Sequence, residues 1–136
     1  MKKAKILWIE DDSQFVAMAI RRIKSVALKS GIDLEFSVAG TWYEGTTIAT
    51  ESDLVILDLE LPDSRAEQTT ARIAGVFQTW PPIVVATGSQ APVDMMCMYN
   101  GADDWMPKEI ASVDPSQFLA RMIHSLVRRT KRHATS

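Results

Sequence analysis

The chain has 136 residues, 46% hydrophobic and 24% charged, with a net charge of −2. That is the size and balance of one globular domain with a single core, and the charge offers no whole-domain attraction to nucleic acid. A lone cysteine, Cys97, excludes an internal disulfide and suits a reducing compartment, and no apolar run approaches the ~20 residues of a membrane span.

Lys2, Lys3 and Lys5 lead directly into a strand pattern rather than a signal peptide, so the expected location is cytoplasmic. Ala4 to Ile9 reads as the first strand and ends in Glu10-Asp11-Asp12. Ser13 is the expected cap of a helix whose stripe is Val16, Ile20, Ile23 and Ala27, with Phe15 and Ala19 beside it and Gly31 as the stop. Residues 32–38 alternate apolar and polar, which predicts a second strand near an edge. A short helix is expected over 42–50.

Leu54 to Leu57 is a four-residue apolar run, the pattern of a strand buried on both faces, and it ends in Asp58. Pro62 takes the chain out of the sheet. A third helix is expected from near Arg65 to Trp80, with Ala71, Ile73, Ala74 and Phe77 as its apolar members and Pro81-Pro82 as its stop. Ile83 to Ala86 is a fourth strand running into Thr87-Gly88-Ser89. A fourth helix, about Pro92 to Asn100, should turn Val93, Cys97 and Met98 to the sheet and Met95 and Tyr99 away from it.

Residues 103–106 read as a fifth strand, ending near Pro107-Lys108. Asp114-Pro115 opens a last helix, with Phe118, Met122 and Leu126 as its buried stripe. Its basic end, Arg128, Arg129, Lys131 and Arg132, suits the helix dipole. His124 and His133 are expected at the surface. Residues 131–136 read as a basic tail or the start of a linker.

Five βα units predict a parallel sheet covered on both faces. All carboxyl ends of such a sheet lie along one rim, where open α/β sheets place their ligands. That rim would gather Glu10 and Asp11, then Asp58, Thr87 and Lys108. Three clustered carboxylates repel one another and call for a cation. Carboxylate oxygens suit Mg²⁺, which keeps waters and accepts a phosphoryl oxygen. A hydroxyl and an ammonium opposite would take the remaining phosphoryl oxygens. The set is equipped to form an aspartyl phosphate.

Ile6-Leu-Trp-Ile-Glu-Asp-Asp12, Asp53-Leu-Val-Ile-Leu-Asp-Leu-Glu-Leu-Pro62, Pro82-Ile-Val-Val-Ala-Thr87 and Gly101-Ala-Asp-Asp-Trp-Met-Pro-Lys108 closely resemble the receiver domain of two-component response regulators. The resemblance covers residues 4–130, so residues 1–136 are expected to be a single receiver domain. It implies a flavodoxin-like, doubly wound (βα)5 fold with strand order 2-1-3-4-5. It implies Asp58 as phosphoacceptor, and Mg²⁺ (or Mn²⁺) held by Glu10, Asp11, Asp58 and the backbone carbonyl of Glu60. Thr87 and Lys108 would bind the phosphoryl oxygens. Trp105 matches the family's switch aromatic, coupled to Thr87.

The implied partners are a histidine kinase or histidine phosphotransfer protein. A further partner, or a second copy in a homodimer, would bind the surface of the fourth helix, fifth strand and last helix, where Met95 and Tyr99 fall. Direct nucleic-acid or membrane binding is not expected. The chain is expected to be a signalling phosphoacceptor with self-catalysed phosphorylation and dephosphorylation rather than an enzyme in the ordinary sense. Glu109 stands where the family usually has Pro, Ala66 where many members have Gly, and Gly88 where Ala or Ser is usual.

Two rival readings differ in class. One is a phosphohydrolase with an aspartyl-phosphate intermediate, which commonly places an Asp acid/base two residues after the nucleophile; here that position is Glu60. The other is a receiver-like binding module that is never phosphorylated.

Overall fold

The structure is a computed structural model that describes residues 3–88 and 93–135; for Asp94 and residues 129–135 it describes the backbone alone. Five parallel strands form one sheet: β1 (Lys3–Ile9), β2 (Asp33–Ala39), β3 (Leu54–Leu57), β4 (Ile83–Thr87) and β5 (Asp104–Pro107). Their order is β2-β1-β3-β4-β5, the flavodoxin-like order of the expectation. The helices are α1 (Ser13–Lys29), α2 (Trp42–Ile48), α3 (Ala66–Val76), α4 (Val93–Tyr99), α5 (Ile110–Val113) and α6 (Pro115–Thr135). A 3₁₀ turn, Ala49–Glu51, continues α2.

The pleat sends alternate strand residues to opposite faces. Ile6, Trp8, Leu54, Ile56, Val84, Ala86 and Met106 meet Val16, Ala19 and Ile23 of α1 and Phe118 and Met122 of α6. Leu7, Ile9, Val55, Leu57, Ile83 and Val85 meet the other layer, which includes Trp42 of α2, Ile73 of α3 and Cys97 of α4. Both faces are covered, which is why β3 and β4 are buried throughout and apolar up to Thr87.

Several local expectations change. The N-cap of α1 is Asp12, not Ser13: its carboxylate accepts from the Phe15 amide at 3.0 Å. Gly31 does stand at the helix exit, with a φ of +75° that favours glycine. α3 ends at Val76, short of Trp80, and buries Ala66, Thr69, Thr70 and Ile73, while Ala71 and Ala74 are exposed. Met98 is 41% exposed and does not face the sheet. α5 has no counterpart in the sequence expectation. His124 is exposed. Ser89 and Pro92 lie outside the described residues, as do the side chains of Arg129, Lys131, Arg132 and His133. Among the described residues, no helix is long and apolar enough to cross a membrane.

Candidate functional site

The sheet order reverses direction between β1 and β3, and the crevice at that switch point is where doubly wound sheets bind ligands. Ile9 pairs with Leu57, so the residues that follow, Glu10 and Asp58, emerge side by side. The Asp58 amide donates to the Ile9 carbonyl at 3.0 Å, and the Glu10 amide to that of Ala39 at 2.9 Å. On the far side, Thr87 pairs with Pro107, and the Lys108 amide donates to the Thr87 carbonyl at 3.2 Å. The register alone carries the four side chains to one place.

Glu10 and Asp58 are almost fully buried, 1% and 3% exposed, whereas Asp11 is open to solvent. One carboxylate oxygen from each of the three lies within 4.8 Å of the others. The Thr87 hydroxyl donates to Asp58 Oδ1 at 2.8 Å, and the Glu60 amide approaches the same oxygen at 3.3 Å. Lys108 Nζ donates to Glu10 Oε1 at 3.0 Å and stands 3.7 Å from Asp58 Oδ2. The Asp12 amide donates to Glu10 Oε2 at 3.1 Å, so the start of α1 pins the same carboxylate.

Burial, reinforced by the charge of Asp58, pushes the Glu10 carboxyl up to about 7, against the Asp12 amide and the Lys108 ammonium. Burial alone would depress Lys108, but the Glu10 hydrogen bond and the charges of Asp58, Glu10 and Asp12 outweigh it and raise its pKa. The lift comes first from burial and second from the Asp58 charge, and the Asp12 amide and Lys108 offset it only in part. The donor set, three carboxylates converging in one crevice, fits a hard divalent cation with oxygen ligands. Glu10, Asp11 and Asp58 are the side chains able to hold it.

Glu60 lies outside that set. Its side chain turns away and accepts from the Ala66 amide at the start of α3, at 3.1 Å. The acid/base that the hydrolase reading needs is therefore engaged elsewhere. The Lys108 loop is also defined: α5 begins directly after Glu109, whose carbonyl accepts from the Val113 amide at 2.9 Å.

Trp105 is half-buried against the α2–α4 layer. Its indole N–H is buried and has no acceptor among the described residues. On α4, Met95 is 73% and Tyr99 93% exposed, so both face solvent as expected. Arg121 of α6 grips Asp104 through Nε at 2.8 Å and Nη2 at 2.6 Å, and also donates to the Trp105 carbonyl at 2.7 Å. Two further contacts carry no clear sequence signal. Asp63 caps α2 from the β3–α3 loop, accepting from the Trp42 and Tyr43 amides at 2.8 and 3.0 Å. The Phe15 ring lies 5.2 Å from Lys108 Nζ. An Asp in a Pro-Asp loop and a Phe at the edge of a helical stripe read as turn and core.

No family model matches the chain. It is 32% identical over 137 residues to the cell cycle transcriptional regulator CtrA of Caulobacter vibrioides, covering 97% of this chain and 54% of that protein. The chain thus spans about half the length of the curated relatives it matches. It superposes on a CheY-like response regulator receiver domain from Methanospirillum hungatei with a TM-score of 0.74 at 20% identity, covering 96% of this chain and 99% of that one. A response regulator from Burkholderia pseudomallei, solved with a phosphorylated aspartic acid, a calcium ion and citrate, matches with a TM-score of 0.69 at 18% identity over 97% of this chain and 74% of that one.

Proposed function

Because the chain belongs to the receiver domains of response regulators, we propose that it is a phosphorylation switch whose acceptor is Asp58. The donor is a phosphohistidine of a sensor kinase or phosphotransfer protein. An Asp58 oxygen forms the new bond to phosphorus as the phosphorus–nitrogen bond breaks, and the electron pair stays on the imidazole. Water later cleaves the acyl phosphate, returning Asp58 and inorganic phosphate. Lys108 and Thr87 bind the phosphoryl oxygens and stabilise charge that grows in the transition state. Glu10, Asp11, Asp58 and the Glu60 carbonyl would hold a divalent cation, which would supply further positive charge to those oxygens. The Burkholderia response regulator, with its phosphorylated aspartic acid and calcium ion, pairs the same two chemical groups.

The observation that carries the reading is the setting of Asp58. It is buried, with one oxygen on the Thr87 hydroxyl and the other 3.7 Å from an ammonium, beside two more carboxylates. The output surface in this reading is formed by α4, β5 and α6, with Trp105 as the moving side chain. A buried donor without an acceptor costs about 1–3 kcal/mol, so reorienting the Trp105 indole would relieve a penalty. Exposed Met95 and Tyr99 are the contacts offered to a partner or a second copy.

The test is the intact mass after incubation with acetyl phosphate and Mg²⁺. One added phosphoryl group is expected on the wild type, and none on Asp58→Asn or in excess chelator. Equal labelling of the variant, or of the chelated protein, would overturn the assignment.

A further inference from the structure

We infer that Phe15 is a positioning residue for Lys108: its ring face holds the ammonium over the acid pocket while Glu10 is engaged elsewhere. This rests on the function proposed above for the same site.

Among the described residues, Lys108 Nζ meets Glu10 at 3.0 Å, Asp58 at 3.7 Å and the Phe15 ring centroid at 5.2 Å in the crevice. The Asp58 distance exceeds a normal hydrogen bond. The close contact is therefore to Glu10, which is also one of the carboxylates suited to a metal. An oxygen shared with a divalent cation attracts an ammonium less strongly. The phosphoryl oxygens that Lys108 must reach lie over Asp58, not Glu10. The side chain has to shift from one to the other without swinging into solvent, and beside the charges of Asp58 and Asp12 the aromatic face offers an attraction that a bound cation does not weaken. A cation within about 6 Å of a ring centroid is held by the ring quadrupole, and more strongly where water is scarce. The Lys108 side chain is 26% exposed, and the carboxylates it faces are buried.

The ring is itself held in place. The Phe15 amide bonds the Asp12 cap at 3.0 Å, which fixes the backbone. The ring meets Trp8 edge to face, with centroids 6.1 Å apart at 85°. Trp8 in turn stacks on Phe118 at 5.5 Å and leans on Phe36 at 6.3 Å. Trp8 is fully buried, so the platform under Lys108 is anchored in the core rather than on a loose surface group. Removing the ring face should leave the acids able to take Mg²⁺ and the ammonium free to wander.

The test uses the full chain with Phe15 replaced by Leu and by phenylalanines of increasing fluorine content. Fluorination weakens the ring quadrupole while nearly preserving shape, so it separates cation binding from packing even if Phe15→Leu folds poorly. Three quantities are measured: the phosphorylation rate with acetyl phosphate, Mg²⁺ affinity in its absence, and the ring-current shift of the Lys108 side-chain protons by NMR. The expected result is a rate that falls stepwise with fluorination and drops about 5- to 30-fold in Phe15→Leu, the range of a ~1–2 kcal/mol contact. Mg²⁺ affinity should stay within about twofold. Rates level across the fluorinated series would overturn the inference, as would Lys108 protons that show no ring-current shift in the wild type. A wild type that takes no phosphoryl group would defeat the functional reading instead, and the NMR shift would then decide the placement of Lys108 alone.

Discussion

In the proposed reading, Glu10 is where proton, ammonium and metal compete for one carboxylate. In the metal-free folded protein its carboxyl titrates near 7, against an ordinary value of 4.5. Between those values the folded state holds a proton that the unfolded chain has released. Stability from this group is thus complete below 4.5 and is lost as pH rises through about 7. Thermal melts in chelator between pH 5 and pH 8 should show a falling midpoint, with a shallower slope in Glu10→Gln. A flat wild-type profile would mean that Lys108 already neutralises the pocket. Asp58→Asn keeps the acceptor for Thr87 but removes the charge beside Glu10. It should raise the metal-free melting point by about 2–4 °C, on the order of 1 kcal/mol, and cut the further rise that Mg²⁺ gives the wild type by mass action. A lower melting point in Asp58→Asn would show that the Lys108 attraction outweighs the repulsion from Glu10. Glu10, Asp58 and Thr87 are legible in the sequence because each closes an apolar strand run, and Lys108 because it follows the fifth strand. Phe15 is not, because an aromatic residue at the edge of a helical stripe has the pattern of ordinary core.

The elements show where hydropathy misleads. The buried face of α3 includes Thr69 and Thr70, whose hydroxyls bond the carbonyls of Arg65 and Ala66 at 2.9 and 2.8 Å. Their polar atoms are satisfied within the helix, so their methyl groups can be buried like those of Val. Ala71 and Ala74 need no burial to favour a helix, which is why a pattern of apolar letters misplaces that face. The strands β1, β3 and β4 fare better, since four consecutive apolar residues ending at an acid or hydroxyl admit few alternatives. α5 escapes notice because a single helical turn has no periodicity to detect. Between elements, the strongest ion pair in geometry is Arg121 with Asp104, two short bonds joining α6 to β5, with side chains 35% and 20% exposed. Allowing for screening at that exposure, Arg121→Ala should lower stability by about 1 kcal/mol. Arg121→Lys should recover less than half of the loss, because a point charge cannot span both oxygens. Chemical denaturation of the three proteins measures this, and identical midpoints would show that solvent screens the pair completely.

At the scale of the whole molecule, the sheet connects two places that share no residue. The acid pocket sits at the switch point between β1 and β3, and the exposed Met95 and Tyr99 sit on α4. β4 and β5 lie between, carrying Thr87 and Trp105, and the Arg121 grip on the Trp105 carbonyl holds that backbone to α6. In the proposed reading, beryllofluoride with Mg²⁺ should promote association of the chain with itself or a partner by ~5–150-fold, the usual span of a coupling free energy. Met95→Asp and Tyr99→Asp should abolish that gain and leave acetyl phosphate labelling intact. Light scattering on the activated proteins checks it, and undiminished association in both variants would move the output surface elsewhere.

The placement of the four tryptophans also gives the molecule its own spectroscopy. Trp42 and Trp80 stack at 5.2 Å with their planes 23° apart, and Arg72 lies over the Trp42 ring at 5.6 Å. Two indole transitions that close couple as an exciton pair, so circular dichroism should carry a split band belonging to the α2–α3 layer alone. Trp8, sealed among Phe15, Phe36 and Phe118, should emit at the blue end without regard to what happens at the rim. In the proposed reading, Trp105 is left as the indole whose colour should follow activation. One sample, with no label attached, can therefore report separately on the far layer, the core and the switch.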